Sequence, residues 1–416
     1  MAPPLKNDCF ALPQGVHWTP VREALDHLRA SLSAVKDVET VPLDRALGRV
    51  LGSDILALRA HPPYPNSAID GYGFAHSAFE QAKNGLPLVE GRSAAGGPFE
   101  GSVPTGSAVR ILTGARPPNG VDTIVLQEDV HLDGPRVFFE GDIKKGANIR
   151  PLGEDIEKDA LVLSKGHRLG PYDIGVLASV GVGAVEVYTP LKVALLSTGS
   201  ELVPAGSEAL DHQIFDANRP MLSALLQAWG IEALDLGAIS DTRDGVRDAL
   251  DRASREADVV LSTGGASAGD EDHISAILKE EGRLETWRVA IKPGRPLAMG
   301  FWGDVPLFGL PGNPVAAFVC ALLFVGPSLR VMQGGAWSEP RGMSLQARFS
   351  KRKKPGREEY LRARRVGDGV EVFSSEGSGR ISGLSWADGL VALEHDQGEV
   401  KEGDLVRYIS FSEFRI

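Results

Sequence analysis

The chain contains 416 residues, of which 43% are hydrophobic and 24% are charged, and its formal net charge is −11 at pH 7. These values are ordinary for a globular protein of about two to four domains, at roughly 100–200 residues per domain. Because the charge balance is acidic, the composition excludes a global positive field that would attract nucleic acid or an anionic membrane, and an anionic ligand requires a local pocket.

The N-terminal part of the chain is predicted to be one helix followed by a mostly β region. The helix covers residues 18–34, with Thr19 as its N-cap and Pro20 in its first turn. Residues 38–185 are rich in glycine and proline and contain short β-like runs. These runs include residues 108–112, 123–126 and 137–140.

The central part of the chain, residues 186–333, alternates apolar strands with amphipathic helices, a rhythm that predicts a parallel, doubly wound sheet. A long apolar helix from about Pro314 to Met332 ends this part. Before this helix, the predicted strands are residues 192–197, 234–239 and 258–262. The predicted helices that follow them are residues 219–229, 243–256 and 273–281.

The C-terminal part, after Gly334, consists of short strands separated by turns, which predicts a small β-barrel or sandwich. Its predicted strands are residues 345–349, 360–364, 370–373, 390–393 and 405–409. The fold class is therefore multidomain α/β plus β, with a mostly-β N-terminal region, a central doubly wound α/β domain and a small C-terminal β-barrel.

The compartment follows from the cysteines and the apolar runs. Cys9 and Cys320 are too few for a disulfide framework, which indicates a reducing environment. The N-terminus lacks the pattern of a secretory signal, and the longest apolar run, residues 315–325, is shorter than the roughly twenty residues that span a bilayer. We expect a cytoplasmic protein with no membrane partner.

Residues 263–272, Thr-Gly-Gly-Ala-Ser-Ala-Gly-Asp-Glu-Asp, follow a predicted strand and precede a helix. Residues 265–269 satisfy the G-x-S-x-G pattern of α/β-hydrolases, with Asp304 and His395 as available partners, but the strand ends too early for a nucleophile elbow. An anion-binding loop is favoured, because backbone N–H groups and a helix N-terminus at the carboxyl end of a sheet attract phosphate. Its residues include Gly264, Gly265, Ser267 and Gly269.

Three carboxylates follow successive predicted strands: Glu201, Asp241 and Asp272. Such a cluster would repel itself unless a divalent cation or basic side chains compensate the charge, so it is a candidate Mg²⁺ site. Asp270 is interpreted first as an N-cap of the following helix, with a ligand role as the alternative.

Basic residues and a rigid turn complete the candidate site. Arg288, Lys292 and Arg295 end another predicted strand. The turn of Pro311, Gly312 and Asn313 opens the long helix, where it either binds an oxyanion or forms a tight connection.

On these residues the chain resembles the molybdopterin molybdenumtransferase family, which includes MoeA and the gephyrin E domain. The resemblance spans roughly residues 18–410, and its matching blocks fall in one order. The blocks are residues 65–72, 110–114, 153–156, 196–202, 262–272, 290–296 and 309–314, with Arg357, Arg362 and residues 377–378 in the C-terminal domain.

The resemblance implies a homodimer in which one subunit's α/β domain and its partner's β region share the active site. It also implies domains, which we place as an N-terminal helix at residues 18–37, a linking domain, a β-rich domain at residues 57–159, an α/β domain at residues 186–338 and a β-barrel at residues 339–416. The linking domain consists of residues 38–56 and 160–185.

The implied reaction converts adenylylated molybdopterin and molybdate into molybdenum cofactor and AMP, with magnesium as the metal. Carried over by position, the residues linked to activity are Asp70, Thr113, Glu201, Asp241, Asp272, Arg288 and Lys292. The positions linked to molybdate are Lys292, Arg295, Arg362 and Ser378.

The chain departs from the family pattern at Ser200, Arg288, Arg295 and Ala316, where the family often has Asp, Lys, Lys and Ser. Arginine keeps the charge of lysine but presents a planar fork in place of a point charge. Two other functions remain as alternatives: a scaffold of the same fold, and the molybdopterin adenylyltransferase of the preceding step, which is also a candidate partner.

Overall fold

The computed structural model describes residues 18–139, 141–264, 273–294, 296–375, 377 and 379–416, and for residues 285–288 and 296 it describes the backbone alone. The chain divides into two compact units. One unit is Glu39–Val187, and the other combines Met1–Val38 with Tyr188–Ile416.

The unit Glu39–Val187 contains a six-stranded sheet and three separate apolar cores. Two of them surround Phe74 and Leu177, a smaller third surrounds Ile111, and all three side chains are fully buried. In spatial order the sheet strands are Thr123–Leu126, Gly71–Phe74, Ala108–Ile111, Leu86–Ser93, Arg136–Phe139 and Val130–Asp133. The other strands and α-helices between residues 38 and 188 are Val38–Pro42, Ile55–Leu56, Asn66–Ser67, Phe79–Ala82, Ile149–Arg150, Leu161–Leu163, Pro171–Ser179 and Ala184–Tyr188.

The second unit is built on a six-stranded sheet that is mixed, not wholly parallel as predicted. In spatial order its strands are Glu232–Ile239, Lys192–Thr198, Val259–Thr263, Val305–Leu310, Pro296–Trp302 and Arg283–Arg288. The first four run parallel, and the last two are antiparallel to their neighbours. The two-residue turn of Gly303 and Asp304 reverses Pro296–Trp302, because strands joined by so short a loop can only pair antiparallel. Arg283–Arg288, antiparallel to Pro296–Trp302, runs in the same direction as the first four strands.

Four helices around this sheet lie where the sequence predicts them, within a few residues at each end. They are Val21–Ser31, Asn218–Ala228, Arg243–Glu256 and His273–Glu280. The predicted cap of the first helix is wrong: its N-cap is Pro20, and Thr19 forms a β-bridge with Val289. The backbone is therefore still extended at Thr19, and the helix begins after Pro20.

The long helix Pro314–Met332 is the core helix of the unit. It consists of Pro314–Cys320, a π turn at Ala321–Val325 and Gly326–Met332. Pro327 lacks the N–H of a regular helix and would clash with the carbonyl four residues earlier, which the wider turn accommodates. Within the described residues it is the one helix apolar and long enough to cross a membrane, and 78% of its apolar window is buried inside the protein.

The C-terminal region is a closed five-stranded barrel. Its strands, in order around the barrel, are Glu358–Val366, Gly369–Val372, Met343–Ala347, Leu405–Ser410 and Gly389–Leu393, and the last pairs again with the first. The short strand Ile291–Lys292 pairs parallel with Glu358–Val366, so the α/β region and the barrel share hydrogen bonds. The predicted fold class is confirmed. The remaining strands and helix of the unit are Leu202–Val203, Ile214–Phe215, Lys351–Arg352, Glu399–Val400 and Ser382–Trp386.

Candidate functional site

Two glycines meet at the carboxyl edge of the parallel strands. Gly264 ends the strand Val259–Thr263 with φ of +81°, and a Cβ there would lie 2.7 Å from the carbonyl oxygen of Thr198. A Cβ on Gly312 would lie 3.9 Å from the Cα of Gly264. The strand Lys192–Thr198 lies between Glu232–Ile239 on one side and Val259–Thr263 on the other, so the strand order reverses at this point. Crevices at such reversals are where α/β folds bind ligands.

The turn that contains Gly312 is held by a buried polar network that the sequence analysis missed. The side-chain amide of Asn218 donates to the carbonyl oxygen of Gly312 at 2.7 Å. The Asp216 carboxylate accepts from the backbone N–H of Asn218 at 3.1 Å and from the hydroxyl of Ser197 at 2.6 Å. The signal in the sequence is the Asp-x-Asn spacing just before a helix, which is typical of an N-terminal cap.

Asn313 caps the long helix. Its side-chain oxygen accepts from the backbone N–H groups of Val315 at 3.1 Å and Ala316 at 3.4 Å. The prediction that Pro314 occupies the first helical position is confirmed. The side chain of Asn313 thus serves the helix, and Gly312 beside it faces Gly264.

Two of the three predicted metal-binding carboxylates are described, and both are exposed after adjacent strands. Glu201 folds back over Gly199, where a Cβ would lie 2.7 Å from a Glu201 carboxylate oxygen. Asp241 precedes Thr242, whose hydroxyl caps the helix Arg243–Glu256 by accepting from the N–H of Gly245 at 3.2 Å. Exposed carboxylate oxygens at neighbouring strand ends are ligands that suit a hard divalent cation.

The third carboxylate, Asp272, lies outside the described residues, as do Gly265, Ser267, Gly269 and Asp270. Within the described ranges no group of three or more His, Cys, Asp or Glu side chains could hold a metal ion. The site of Glu201, Asp241 and Asp272 therefore stays a prediction.

A basic cavity of about 340 Å³ lies where the α/β region meets the barrel. Lys292 and Arg362, both predicted from the sequence, line it. Lys351 and Arg352 line it as well, and sequence reasoning missed them although they belong to a run of four basic residues. Arg295 and Ser378 lie outside the described residues, and the side chain of Arg288 is not among those described.

Arg362 holds one wall of this cavity together. Its guanidinium donates to the carbonyl oxygens of Ser375 and Arg380, and to that of Gly377 at 3.2 Å. It also lies 4.9 Å from the centre of the Phe373 ring. The side chain is buried, and burial lowers the pKa of Arg362 from its usual value. Arg362 therefore shapes the cavity through the loop after Phe373.

The ammonium of Lys292 pairs with a buried carboxylate. Its nitrogen lies 3.5 Å from one oxygen of Glu359, and the nitrogen of Lys351 lies 3.2 Å from the other. Lys292 is opposite Glu359 in the parallel pairing between the α/β region and the barrel. No sequence pattern predicts this contact, because it depends on the register between distant strands.

In the unit Glu39–Val187, Asp70 and Thr113 lie side by side. They flank paired residues of two antiparallel strands, Gly71 and Ile111. The backbone hydrogen bond from Thr113, then the bond from its hydroxyl, lowers the pKa of Asp70 below its usual value. The structure brings together two residues that were predicted separately.

Cys320 takes no part in this chemistry. It is fully buried, and burial raises the pKa of its thiol to about 12. Its sulfur packs beneath the turn at Gly294, where a Cβ would lie 2.5 Å from it. A buried neutral thiol is a packing group rather than a nucleophile.

Known families match the chain in three segments. Residues 19–181 match the family described as "MoeA N-terminal region (domain I and II)". Residues 194–331 match the "Probable molybdopterin binding domain", and residues 344–411 match the "MoeA C-terminal region (domain IV)".

Individual relatives match over nearly the full length. The chain is 37% identical over 384 residues to a molybdopterin molybdenumtransferase of Haemophilus influenzae, which covers 90% of this chain and 94% of that protein. It is 31% identical over 412 residues to the corresponding protein of a Nostoc species, with 94% of each chain covered. The crystal structure of the molybdopterin biosynthesis moeA protein from Pyrococcus horikoshii OT3 superimposes with a TM-score of 0.83 at 30% identity, covering 95% of this chain and 100% of that one.

Proposed function

Since the chain belongs to the molybdopterin molybdenumtransferase family, and is thereby an enzyme that inserts molybdenum in molybdenum cofactor biosynthesis, we propose that its substrates are molybdate and adenylylated molybdopterin. The products are molybdenum cofactor and AMP. The observation that carries this proposal is the basic cavity next to the Lys292 turn, in a chain whose net charge is −11.

Molybdate binds in the basic cavity. A tetrahedral oxyanion is much smaller than the 340 Å³ available, so the reacting part of the pterin substrate has room beside it. Lys292 supplies charge-assisted hydrogen bonds, each worth about 1.5–3 kcal/mol. Arg295 and Ser378, which the family resemblance predicts as molybdate-binding positions, would complete the oxyanion site, and Arg362 supports its wall.

The adenylylated pterin binds along the carboxyl edge of the sheet. Gly264 and Gly312 carry no side chains, so a phosphate can approach the backbone of this edge closely, with the N–H of Gly264 itself donating to the carbonyl oxygen of Leu310 at 3.3 Å. Residues 265–269 continue this loop in the sequence. The Asn218 amide keeps the Gly312 turn in place.

Glu201, Asp241 and Asp272 would hold Mg²⁺. The ion would neutralise the pyrophosphate of the substrate and polarise the phosphorus–oxygen bond that is cut. The protein's own side chains bind and orient: Lys292 and Arg288 attract the phosphate charge, and no covalent protein intermediate is required.

The working enzyme is a cytoplasmic homodimer. Asp70 and Thr113 of one subunit serve the site of its partner, and the adenylyltransferase of the preceding step supplies the adenylylated substrate. Support comes from the partly exposed carboxylate of Asp70, whose pKa is lowered by the hydrogen bonds from Thr113.

The test is to incubate the purified protein with adenylylated molybdopterin, Mg²⁺ and molybdate, and to measure AMP by chromatography. We expect AMP to appear in step with molybdenum cofactor, and only when molybdate and Mg²⁺ are both present. Formation of adenylylated molybdopterin from ATP and molybdopterin would instead identify an adenylyltransferase, and no turnover of either kind would contradict the proposal.

A further inference from the structure

Two lysines at the cavity wall share one buried carboxylate. The side chain of Glu359 is 6% exposed and lies between Lys292, at 3.5 Å, and Lys351, at 3.2 Å. The strand Ile291–Lys292 brings the first lysine from the α/β region, and the short strand Lys351–Arg352 brings the second from the C-terminal region. The three side chains therefore join the α/β region and the C-terminal region, and two of them line the cavity.

Both lysines line the cavity, and their side chains are exposed to different extents. The Lys292 side chain is 22% exposed and that of Lys351 is 7% exposed, and both residues line the cavity. A lysine ammonium at a cavity wall can donate charge-assisted hydrogen bonds to an oxyanion as well as to a carboxylate. The triad carries a net charge of +1, which suits an oxyanion ligand.

We infer that Glu359 is a positioning residue, which holds Lys292 and Lys351 at the cavity wall, and that Lys351 is a second lysine that contacts the bound oxyanion. This inference rests on the proposed binding of molybdate in the cavity. It adds a residue from the C-terminal region, Lys351, that the family resemblance does not assign.

If Glu359 acted through its charge alone, its removal would have the opposite effect on molybdate binding. A carboxylate near a bound anion repels it, so removing the negative charge should tighten binding if charge were its only effect. If Glu359 positions the two ammonium groups, its removal weakens binding even though the cavity becomes more positive. The sign of the change separates the two roles.

The experiment is equilibrium dialysis of the full-length protein against molybdate, with bound molybdenum measured by mass spectrometry. Lys351→Gln is expected to raise the dissociation constant about tenfold or more. Glu359→Gln is also expected to raise the dissociation constant. Glu359→Asp keeps the charge but shortens the side chain, so its dissociation constant is expected to lie between those of Glu359→Gln and the unchanged protein. Lys401→Gln, an exposed lysine of the same region, is the matched control.

Unchanged or tighter molybdate binding by Glu359→Gln would overturn the positioning role, and unchanged binding by Lys351→Gln would overturn the second contact. If Glu359→Gln does not fold, as shown by its melting curve, Glu359→Asp and Lys351→Gln decide the question. Failure of the unchanged protein to bind molybdate would instead refute the proposed molybdate site itself, which distinguishes the two claims.

Discussion

Asp70 accepts two hydrogen bonds from Thr113, one from the backbone N–H and one from the hydroxyl, both at 2.7 Å. Both bonds end on the same carboxylate oxygen, so the other oxygen stays available to a ligand. Because Gly71 pairs with Ile111, the antiparallel register brings Asp70 opposite Leu112, next to Thr113 in the chain.

Replacing Thr113 by valine should raise the pKa of Asp70 part of the way back toward its ordinary value, because the hydroxyl donor is lost and the backbone donor remains. The depressed pKa contributes stability above the unfolded-state pKa, about 3.9, and this contribution is lost as the pH falls through the folded-state value. The Thr113→Val protein should therefore lose less of its free energy of unfolding than the unchanged protein does when the pH is lowered. Carboxyl titration by NMR measures the shift, with the exposed Thr105→Val as control; an unmoved Asp70 pKa would contradict this account.

Asp241→Asn should leave the melting temperature unchanged and reduce AMP release steeply. The physical reason is that Thr242, not Asp241, caps the following helix, so the carboxylate is available to a metal. The neighbouring change Thr242→Ala should do the reverse, costing about 1 kcal/mol of unfolding free energy while turnover at a permissive temperature persists. A destabilised but fully active Asp241→Asn protein would show that this carboxylate is structural.

Arg362→Ala and Arg362→Lys should both raise the molybdate concentration needed for half-maximal AMP release by roughly tenfold or more. Lysine keeps the charge, but it cannot reproduce a planar fork that donates to three carbonyl oxygens. Arg364→Lys, on the same strand and exposed, is the control. Full rescue by lysine would mean that Arg362 acts as a bare charge and not through the loop.

Cys320 should react with thiol reagents only when the protein unfolds. With a pKa of about 12, roughly one thiol in ten thousand is ionised at pH 8, and the sulfur is buried as well. Labelling kinetics with Ellman's reagent, in a Cys9→Ser background, should follow the unfolding rate across a denaturant series. Rapid labelling without denaturant would show that the helix Pro314–Met332 opens locally.

Mixing Asp70→Ala protein with Lys292→Ala protein should restore activity after subunit exchange. The two residues belong to different compact units, and in a homodimer with shared sites one of the two sites in a mixed dimer would be intact. We expect up to about half of the unchanged activity per mixed dimer. Sedimentation as a monomer, or no recovery despite exchange, would rule out sharing.

The sequence predicted elements well where local signals were complete. The helix Arg243–Glu256 was predicted with the correct bounds because Thr242 provides a cap and the apolar residues recur at helical spacing. The sheet was predicted to be wholly parallel, and the reversed direction of Pro296–Trp302 was missed, because apolar periodicity carries no information about strand direction. The signal that was overlooked is the turn at Gly303 and Asp304.

The candidate site was predictable where backbone geometry selects the residue type. Gly264 and Gly312 occupy positions where a side chain would approach neighbouring backbone, and glycine is visible in the sequence. The partners of Arg362 and the pairing of Lys292 with Glu359 were not predictable. They depend on loop conformation and on a register between strands that lie far apart in the chain.

The parallel pairing of Ile291–Lys292 with Glu358–Val366 has a consequence for building chimaeras from relatives of this chain. A second hydrogen bond also joins the α/β region to the end of the chain: the buried indole N–H of Trp229 donates to the carbonyl oxygen of Phe414 at 2.7 Å. A barrel transplanted at a boundary near residue 339 would leave both links with mismatched partners. A successful exchange must move the Lys292 turn and the last residues of the chain together with the barrel.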